Sequence, residues 1–334
     1  MNEENKKETV CAVVVTYNRK NLLLECLEAI RRQTSPVDGI YIIDNASDDG
    51  TPELLKEKGY IPELPPFNIS EPYEIEHKIS NLVNGNPINV FYVRMHENTG
   101  GAGGFYEGVK RGYERGYDWL WLMDDDGLPE KDCLMKLQLY REDLNIVGSL
   151  VVASDNSSEL TWKLRVVDSL GNFIPRRYFS NVEEVKKQVK NGIYYGFPNF
   201  FNSVLIKKEV IAKVGFPNKD LFIWGDEVEY AMRLKKLGYK MGVCVDSIFR
   251  HPKINHKTIS DVKLYYMFRN TYYIYRLYSD IQFNNLFLRL IYPVYIFIKF
   301  SKFLILRFKF KLTAKIVRAI VSALFGGKLI SYSK

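Results

Sequence analysis

The segment WLWLMDDD, residues 119–126, is the strongest structural signal in this chain. Five apolar residues in a row indicate a buried strand, and three carboxylates follow at its end. Carboxylates are too costly to bury unpaired, so they require a cation or open solvent. Alternate residues of a strand point to the same side, so Asp124 and Asp126 could chelate one divalent metal while Asp125 makes a structural hydrogen bond. Oxygen ligands suit Mg²⁺ or Mn²⁺ bound to a diphosphate; the alternative is an acidic strand-to-turn corner.

Strand and helix patterns alternate on the amino-terminal side of this strand. A helical stripe over Asn21–Gln33 follows the first strand, and a glycine-rich stretch, residues 98–104, leads into a helix over 105–115. The order β-α-β-α-β-α-β predicts an α/β fold with a mostly parallel sheet covered by helices. Residues 59–87 hold five prolines and little periodicity, which predicts an inserted surface loop. The predicted strands before residue 119 are Thr9–Val15, Gly39–Ile43 and Ile88–Val93.

Composition and cysteine usage are those of a globular cytosolic protein. The 334 residues are 46% hydrophobic and 26% charged, enough for a full core. Four cysteines form no CxxC pair, which predicts reduced thiols, and the polar first eight residues do not resemble a secretory signal.

The positive charge is concentrated at the carboxyl end. Residues 281–334 hold ten Lys or Arg and no acid, whereas the rest of the chain carries 37 basic and 39 acidic groups. The longest uncharged run there, Leu290–Ile298, is too short to span a bilayer. Basic residues among large apolar ones predict helices lying on an anionic membrane surface. The alternative is packing on the rest of the chain or on a second subunit, which leaves a homo-oligomer open. No nucleic acid is expected as a partner, because the body lacks a basic groove.

Polar residues follow the first two strands. Open α/β sheets bind ligands at the carboxyl ends of their strands. Arg19 could therefore pair with phosphate, and Asp44 could accept from a base N–H or a ribose hydroxyl. Helix capping and turn formation are the alternatives. The glycine-rich stretch matches neither GxGxxG nor a Walker loop, so dinucleotide binding of the Rossmann type is not expected.

Two further sites carry titratable side chains. The segment WGDEVEY, residues 224–230, opens a helix with three acids, where the helix dipole favours negative charge and a general base could remain ionised. Arg233 lies four residues after Glu229, within ion-pair reach. His251 follows a predicted strand; it is either structural or completes a carboxylate metal site, which would then favour Mn²⁺.

Five motifs in order resemble those of inverting family 2 glycosyltransferases, which have a GT-A fold. They are TYNR at 16–19, DNAS at 44–47, ENTGG at 97–101, DDD at 124–126 and DEVE at 226–229. The resemblance covers about Val10 to Tyr278. The details GGAGGF at 100–105 and WLMDDDG at 121–127 resemble the branch containing bacterial galactofuranosyltransferases and some rhamnosyltransferases.

The resemblance implies a role for each motif residue. Family register places the catalytic base on Glu227, but most relatives have Asp there, which leaves Asp226 as a contender. Asp124, Asp126 and His251 would hold Mn²⁺ or Mg²⁺. The residues expected to contact substrates are Thr16, Tyr17, Arg19, Asp44, Asn98, Gly101, Asp125 and Trp224.

The implied reaction is metal-dependent transfer of a sugar, with inversion, from a nucleoside-diphosphate donor to a hydroxyl of a lipid-linked cell-surface glycan. UDP-galactofuranose is the favoured donor; dTDP-rhamnose is the alternative, and a sugar nucleotidyltransferase is a further one. We expect residues 1–260 to form the catalytic domain and 261–334 a helical extension, basic and amphipathic from 281. The enzyme would act peripherally at the cytoplasmic face of the membrane.

Overall fold

The computed structural model describes residues 7–168, 173–253, 260–283, 286–305, 310–326 and 329–332. Within these residues, twelve strands and ten α-helices are assigned. The strands are β1 Val10–Thr16, β2 Gly39–Asp44, β3 Tyr73–Ser80, β4 Pro87–Arg94, β5 Trp119–Asp124, β6 Leu128–Pro129, β7 Ile146–Ala153, β8 Asn156–Val167, β9 Phe173–Asn181, β10 Ile193–Tyr194, β11 Asn202–Lys207 and β12 Gly242–His251. The helices are α1 Lys20–Arg31, α2 Thr51–Glu57, α3 Gly100–Glu114, α4 Cys133–Gln138, α5 Val182–Lys186, α6 Lys208–Val214, α7 Asp226–Lys236, α8 Asp261–Gln282, α9 Leu286–Ile305 and α10 Phe310–Leu324, with a 3-10 turn at Lys219–Leu221.

One mixed sheet organises the molecule, in the order β10-β12-β7-β11-β5-β1-β2-β4-β3. The pairs β1–β2, β1–β5, β2–β4 and β7–β12 are parallel. Strand β11 runs antiparallel between β5 and β7. The prediction of a mostly parallel α/β sheet flanked by helices is therefore confirmed.

Strand β5 lies beside β1 near the centre of this sheet, as its apolar run predicts. Residues 119–123 are fully buried, and alternate side chains enter the two cores that cover the two faces of the sheet. Trp121 lies in one core and Leu122 in the other. Burial ends at Asp124, which is half-buried, so the strand brings its acidic end to the edge of the sheet.

The glycine-rich stretch forms the first turn of α3, which begins at Gly100 and not near Phe105 as predicted. A side-chain carbon on Gly104 would lie 2.4 Å from Val15, and one on Gly108 would lie 2.4 Å from Val13. The glycines therefore let α3 pack directly on β1. Close helix-to-sheet packing, which the sequence pattern alone does not reveal, explains why helix-breaking residues occur inside this helix.

The prediction that residues 59–87 form a surface loop is wrong in part. Strand β3 lies within them and pairs antiparallel with β4 at the edge of the sheet. Most residues of β3 are exposed or half-buried, and Ile75 is buried. The sequence of β3 therefore has few apolar residues to mark it as a strand, as is usual for a strand at the edge of a sheet.

The carboxyl-terminal helices share a third core with the 222–223 region. Buried residues of α8 and α10, including Tyr265, Phe268 and Ile316, pack with half-buried Phe222. No helix within the described residues is long and apolar enough to cross a membrane. Four of the ten basic residues of the tail, Arg307, Lys309, Lys328 and Lys334, lie outside the described residues.

Candidate active site

The loops that follow β1 and β2 form one wall of the site. The strands are parallel and in register from Cys11 and Gly39 to Thr16 and Asp44, so their carboxyl ends meet at one edge. The Asn18 backbone N–H donates to Ser47 Oγ over 3.0 Å, and the Asn18 side chain donates to Asp48 over 2.7 Å. These bonds join the two loops into a single surface, on which Tyr17 is 44% exposed.

Asp125 is the structural member of the acidic triplet, residues 124–126. Thr16 Oγ1 donates to Asp125 Oδ2 over 2.6 Å, and Arg19 Nη1 lies 3.1 Å from Oδ1. Burial raises the pKa of the Asp125 carboxyl to about 6, although Arg19 and Thr16 act in the opposite direction. Asp125 therefore joins β5 to the loop after β1, and Thr16 is itself buried against it.

Asp126 meets both Arg19 and His251. Arg19 Nη1 donates to Asp126 Oδ2 over 2.7 Å, and His251 Nε2 lies 2.8 Å from Asp126 Oδ1. His251 Nδ1 lies 2.8 Å from the Pro252 carbonyl oxygen, which can only accept, so Nδ1 carries a proton.

The His251 ring thus directs Nε2 toward a carboxylate oxygen of Asp126. Asp126 Oδ1 is buried and faces His251 Nε2. Burial acts to raise the pKa of the Asp126 carboxyl, but a hydrogen bond and charge from His251, together with Arg19, hold it below its usual range. A divalent metal ion could replace the shared proton, because a carboxylate oxygen and an imidazole nitrogen are both metal-ligating atoms. A carbonyl behind the other ring nitrogen is also the usual support of a histidine ligand. Asp126 and His251 therefore fit a divalent metal.

Asp124 stands apart from this pair. Burial and then its neighbours Asp126 and Asp125 raise the pKa of its carboxyl well above the usual range, and Glu227 adds to the effect. Within the described ranges, no three or more His, Cys, Asp or Glu side chains are arranged to hold a metal ion. The structure therefore brings together two of the three predicted ligands, and Asp124 does not complete a set with them as the side chains stand.

Asp44 is more deeply engaged than the sequence indicates. Its side chain is fully buried, and Tyr92, Arg94 and the Ser47 backbone N–H all donate to it over 2.6–2.8 Å. These bonds fold the 45–47 turn. Contact of Asp44 with a nucleotide stays a prediction, while its structural role explains why an acid is needed at the end of β2.

The first turn of α3 faces the acids of α7. Asn98 Oδ1 accepts from the Gly100 N–H over 2.8 Å, so this exposed side chain holds the turn. A side-chain carbon at Gly101 would lie 3.8 Å from Asp226 Oδ2. The glycine therefore leaves open space beside that carboxylate.

Asp226 and Glu227 form a coupled pair at the start of α7. Asp226 is 6% exposed, and burial, then the charge of Glu227 and a hydrogen bond with it, raise the pKa of Asp226 well above the usual range. This shift favours the protonated form of the buried Asp226, whose carboxyl can then donate a hydrogen bond to Glu227. The half-buried Glu227 is the more accessible of the two, and its Oε2 accepts from the Gly225 N–H over 3.1 Å.

Trp224 lies on the rim immediately before these acids. It is 36% exposed, and Lys263 Nζ lies 5.5 Å from the centroid of its ring. Its backbone has a φ of 72°, a left-handed conformation that is rare for a side chain of this size.

Several residues of the site have no motif that marks them in the sequence. Asn45 accepts from the Thr99 N–H and donates to the Gly100 carbonyl, and so joins the loop after β2 to α3. Asn202 lies opposite Met123 in the sheet, next to Asp124, and its buried Oδ1 has no partner among the described residues. Only the pairing of β11 with β5 reveals Asn202, since it is distant in sequence from every acid.

Comparison with known proteins identifies the class of enzyme to which this site belongs. The model of glycosyl transferase family 2 matches residues 11–62 and 70–207, more than half of the chain. The chain belongs to glycosyltransferase family 2. It is therefore a glycosyltransferase, and the predicted family is confirmed.

Relatives in this family include galactofuranosyltransferases. The chain is 29% identical over 248 residues to galactofuranosyltransferase GlfT1 of Mycolicibacterium smegmatis, covering 73% of this chain and 71% of the relative. It is 30% identical over 248 residues to GlfT1 of Mycobacterium tuberculosis, covering 73% and 70%.

Solved structures confirm the GT-A-like fold. GalNAc-T7, crystallised with UDP, GalNAc and Mn²⁺, aligns with a TM-score of 0.55 at 15% identity over 84% of this chain; the match spans about half (52%) of that longer protein. TarS of S. aureus, residues 1–349, aligns with a TM-score of 0.55 at 13% identity, covering 95% of this chain and 81% of TarS. Identities this low establish the fold alone.

Proposed function

We propose that this enzyme transfers galactofuranose, with inversion and with the help of a divalent metal, from UDP-galactofuranose to a hydroxyl of a lipid-linked glycan. The observation that carries the proposal is the electrostatic imbalance of the site. Beyond the effect of burial, Asp126, Asp125 and Glu227 raise the pKa of Asp124, and Glu227 and Asp124 raise that of Asp226. Arg19 pairs with Asp125 and Asp126. Such a site accepts an anionic nucleotide only together with added positive charge. The similarity to GlfT1 favours galactofuranose.

The donor would bind across the loops after β1 and β2. Arg19 is 48% exposed on its side chain and points its guanidinium at Asp125 and Asp126. Partial exposure leaves N–H groups free to turn toward a diphosphate. Tyr17 is exposed on the same loop and would contact the nucleotide, with Thr16 and Asp44 holding the loops from below.

Asp126 and His251, joined by Asp124 after a change of side-chain conformation, would hold the metal. A bound Mn²⁺ or Mg²⁺ would neutralise charge that develops on the departing diphosphate. Histidine among the ligands favours Mn²⁺. Arg19, once released from Asp126, would add a second positive charge on the same side of the donor.

Glu227 would serve as the general base. It would accept the proton of the acceptor hydroxyl, whose oxygen then bonds to the anomeric carbon while the nucleoside diphosphate leaves with the electrons of the broken bond. Attack from the face opposite to the leaving group inverts the anomeric centre. Asp226 retains its proton, and Trp224 would border the acceptor.

A screen of nucleotide sugars with Mn²⁺ tests the proposed function directly. We expect UDP release from UDP-galactofuranose in the presence of a hydroxyl acceptor, measured with a coupled assay for free nucleoside diphosphate. Release of dTDP from dTDP-rhamnose would support the rhamnosyltransferase alternative. Formation of pyrophosphate would identify a nucleotidyltransferase and overturn the proposal.

The acceptor's lipid would bring the enzyme to an anionic membrane surface, and α9 carries the face that suits it. Leu286, Leu290, Val294 and Ile298 recur every four residues on this helix and are 60–69% exposed. Contiguous exposed apolar side chains on a soluble domain mark a site of membrane or protein contact. The basic composition of residues 281–334 favours the membrane over a second copy of this equally basic tail.

Charge placed on this face is expected to release the protein from membranes. The double substitution Leu290→Glu and Val294→Glu should weaken binding to phosphatidylglycerol vesicles at least about 10-fold, because each side chain would lose its burial in lipid. Leu139→Glu, at a side chain that is 70% exposed just after α4, is the matched control. Vesicle cosedimentation measures the effect. If vesicle binding is unchanged, or if the double substitution converts a dimer into a monomer, the exposed face of α9 contacts another partner instead of the membrane.

A further inference from the structure

The loop of residues 220–225, which leads into the acids of α7, has a strained backbone. Phe222 and Trp224 have φ values of 65° and 72°, and Gly225 has 87°. Large side chains avoid this left-handed region, so such a conformation persists only where surrounding contacts impose it. The proposed base lies two residues beyond this loop. Whatever imposes the conformation therefore also sets the position of Asp226 and Glu227.

Asn270 of α8 supplies part of that constraint. Its side chain is fully buried, and its amide nitrogen lies 2.9 Å, 3.1 Å and 2.7 Å from the carbonyl oxygens of Leu221, Ile223 and Trp224. One side chain thus collects three carbonyls of the loop at a single point. The α-helical backbone of α8 fixes that point relative to the core.

Arg269 supplies the rest and reaches further. Arg269 is 1% exposed. Its Nη2 donates to the carbonyls of Asp220 and Leu221 over 2.6 Å and 3.1 Å. Its Nε donates to Asn270 Oδ1 over 2.8 Å. Nη1 donates over 2.8 Å to the carbonyl of Ile330. Only the rigid, forked guanidinium of an arginine can donate at once to the 220–225 loop, to the Ile330 carbonyl and to the neighbouring Asn270 amide.

Ile330 belongs to the C-terminal segment, residues 329–332, which has its own attachments to α8. Tyr265 Oη donates to the same Ile330 carbonyl over 3.0 Å, and the Tyr332 N–H lies 3.3 Å from Tyr266 Oη. The Tyr266 ring stacks on Phe222, with centroids 4.8 Å apart, while Arg269 lies over Tyr266 at 4.6 Å. Two side chains of α8, Tyr266 and Arg269, therefore contact both the C-terminal segment and the 220–225 loop.

The loop is also joined to the first turn of α3. The Phe222 carbonyl accepts from the Ala102 N–H over 3.1 Å, and a side-chain carbon on Gly100 would overlap that carbonyl. The carbonyl of Phe222 thus connects the 220–225 loop to the turn of α3 that contains Gly101, which faces Asp226. A shift of this loop would change the space beside the acids.

We propose that Arg269 and Asn270 are positioning residues that couple the C-terminal segment to the 220–225 loop and thereby hold Glu227 and Trp224 in place for transfer. The proposal rests on the proposed function for the role of Glu227. It makes the tail a support of the active site in addition to any membrane contact. Neither residue touches a substrate in this scheme; both act through the loop.

The test uses three variants and one control. The three variants are Arg269→Met, Arg269→Lys and a chain that ends at residue 328; the control is Tyr272→Phe. Tyr272 lies on the same helix as Arg269. The control removes its 2.7 Å hydrogen bond to the Pro293 carbonyl of α9, away from the loop. Hydrogen–deuterium exchange of residues 220–225 should accelerate in all three test variants and not in the control. Lysine should fail to rescue, because one ammonium cannot bridge both segments.

Kinetics provide the second readout. We expect kcat for sugar transfer to fall about 10- to 100-fold in the Arg269 variants, with the KM for the donor unchanged, because misplaced reacting groups slow chemistry without weakening donor binding. If Arg269→Met fails to fold, Arg269→Lys and the shortened chain give the same comparison. Unaltered exchange at 220–225 in folded variants would overturn the proposal. A wild-type enzyme that turns over no nucleotide sugar would overturn the proposed function instead, and the exchange result would still decide the coupling.

Discussion

Replacing Glu227 by Gln is expected to reduce sugar transfer by about 10²- to 10⁴-fold while UDP binding remains unchanged. The amide keeps the size of the side chain and its bond to the Gly225 N–H but cannot take a proton from the acceptor. The loss should appear in kcat and kcat/KM alike, because proton transfer occurs only in the reacting complex. Measurement of initial rates with saturating donor, beside calorimetric titration with UDP, checks both halves of this prediction.

Asp226→Asn is the matched control, since the two acids are adjacent and begin the same helix. Because burial and Glu227 raise the pKa of Asp226, its protonated carboxyl donates a hydrogen bond to Glu227. The side-chain N–H of an asparagine can replace this hydrogen bond. We expect a loss within about 10-fold, the size of one altered hydrogen bond. The reverse order of effects would assign the base to Asp226. Wild-type turnover in both variants would contradict the assignment of the acidic pair altogether.

Asp126→Asn and His251→Gln are expected to weaken Mn²⁺ binding at least about 10-fold each, in the presence of UDP. Each substitution removes one member of the pair whose facing atoms, Asp126 Oδ1 and His251 Nε2, lie 2.8 Å apart and would both ligate the metal. Electron paramagnetic resonance of unbound Mn²⁺ measures the affinity without reference to turnover.

Asp132→Asn is the control for metal binding. This acid is paired with Lys136 on the surface of α4 and lies outside the predicted ligand set, so its loss should leave Mn²⁺ affinity unaltered. If Asp126→Asn and His251→Gln also bind Mn²⁺ as tightly as the wild type, the metal site lies elsewhere and the interpretation of the acidic triplet fails.

Local patterns are enough to predict the centre of the fold. The apolar run at 119–123 and the β-branched run that ends at Thr16 each specify a buried strand, because no other arrangement hides so many adjacent apolar side chains. Their alternation with helical stripes then requires parallel strands, which puts Thr16, Asp44 and Asp124 at one edge. The acidic triplet is therefore recognisable as a candidate site from its sequence context alone.

Periodicity fails where a residue's role depends on a distant partner. The glycines of α3 resemble a loop until the helix is packed on β1, because it is Val13 and Val15 that exclude a side chain there. Strand β3 alternates too weakly to be recognised without β4 beside it. The structural role of Asp44 is visible only when Tyr92 and Arg94, from β4, are seen to donate to it.

The amino-acid sequence by itself determined the α/β class and the position of the carboxylates at strand ends, because these follow from hydrophobic burial and from the charge of adjacent residues. The family was predicted from the resemblance of five motifs in order. Tertiary structure alone decided which polar atoms meet: His251 with Asp126, and Arg269 with both the 220–225 loop and Ile330. Hydrogen bonds and ion pairs act over about 3 Å, so the partners that matter are set by packing between segments up to 125 residues apart, a distance that no local pattern spans.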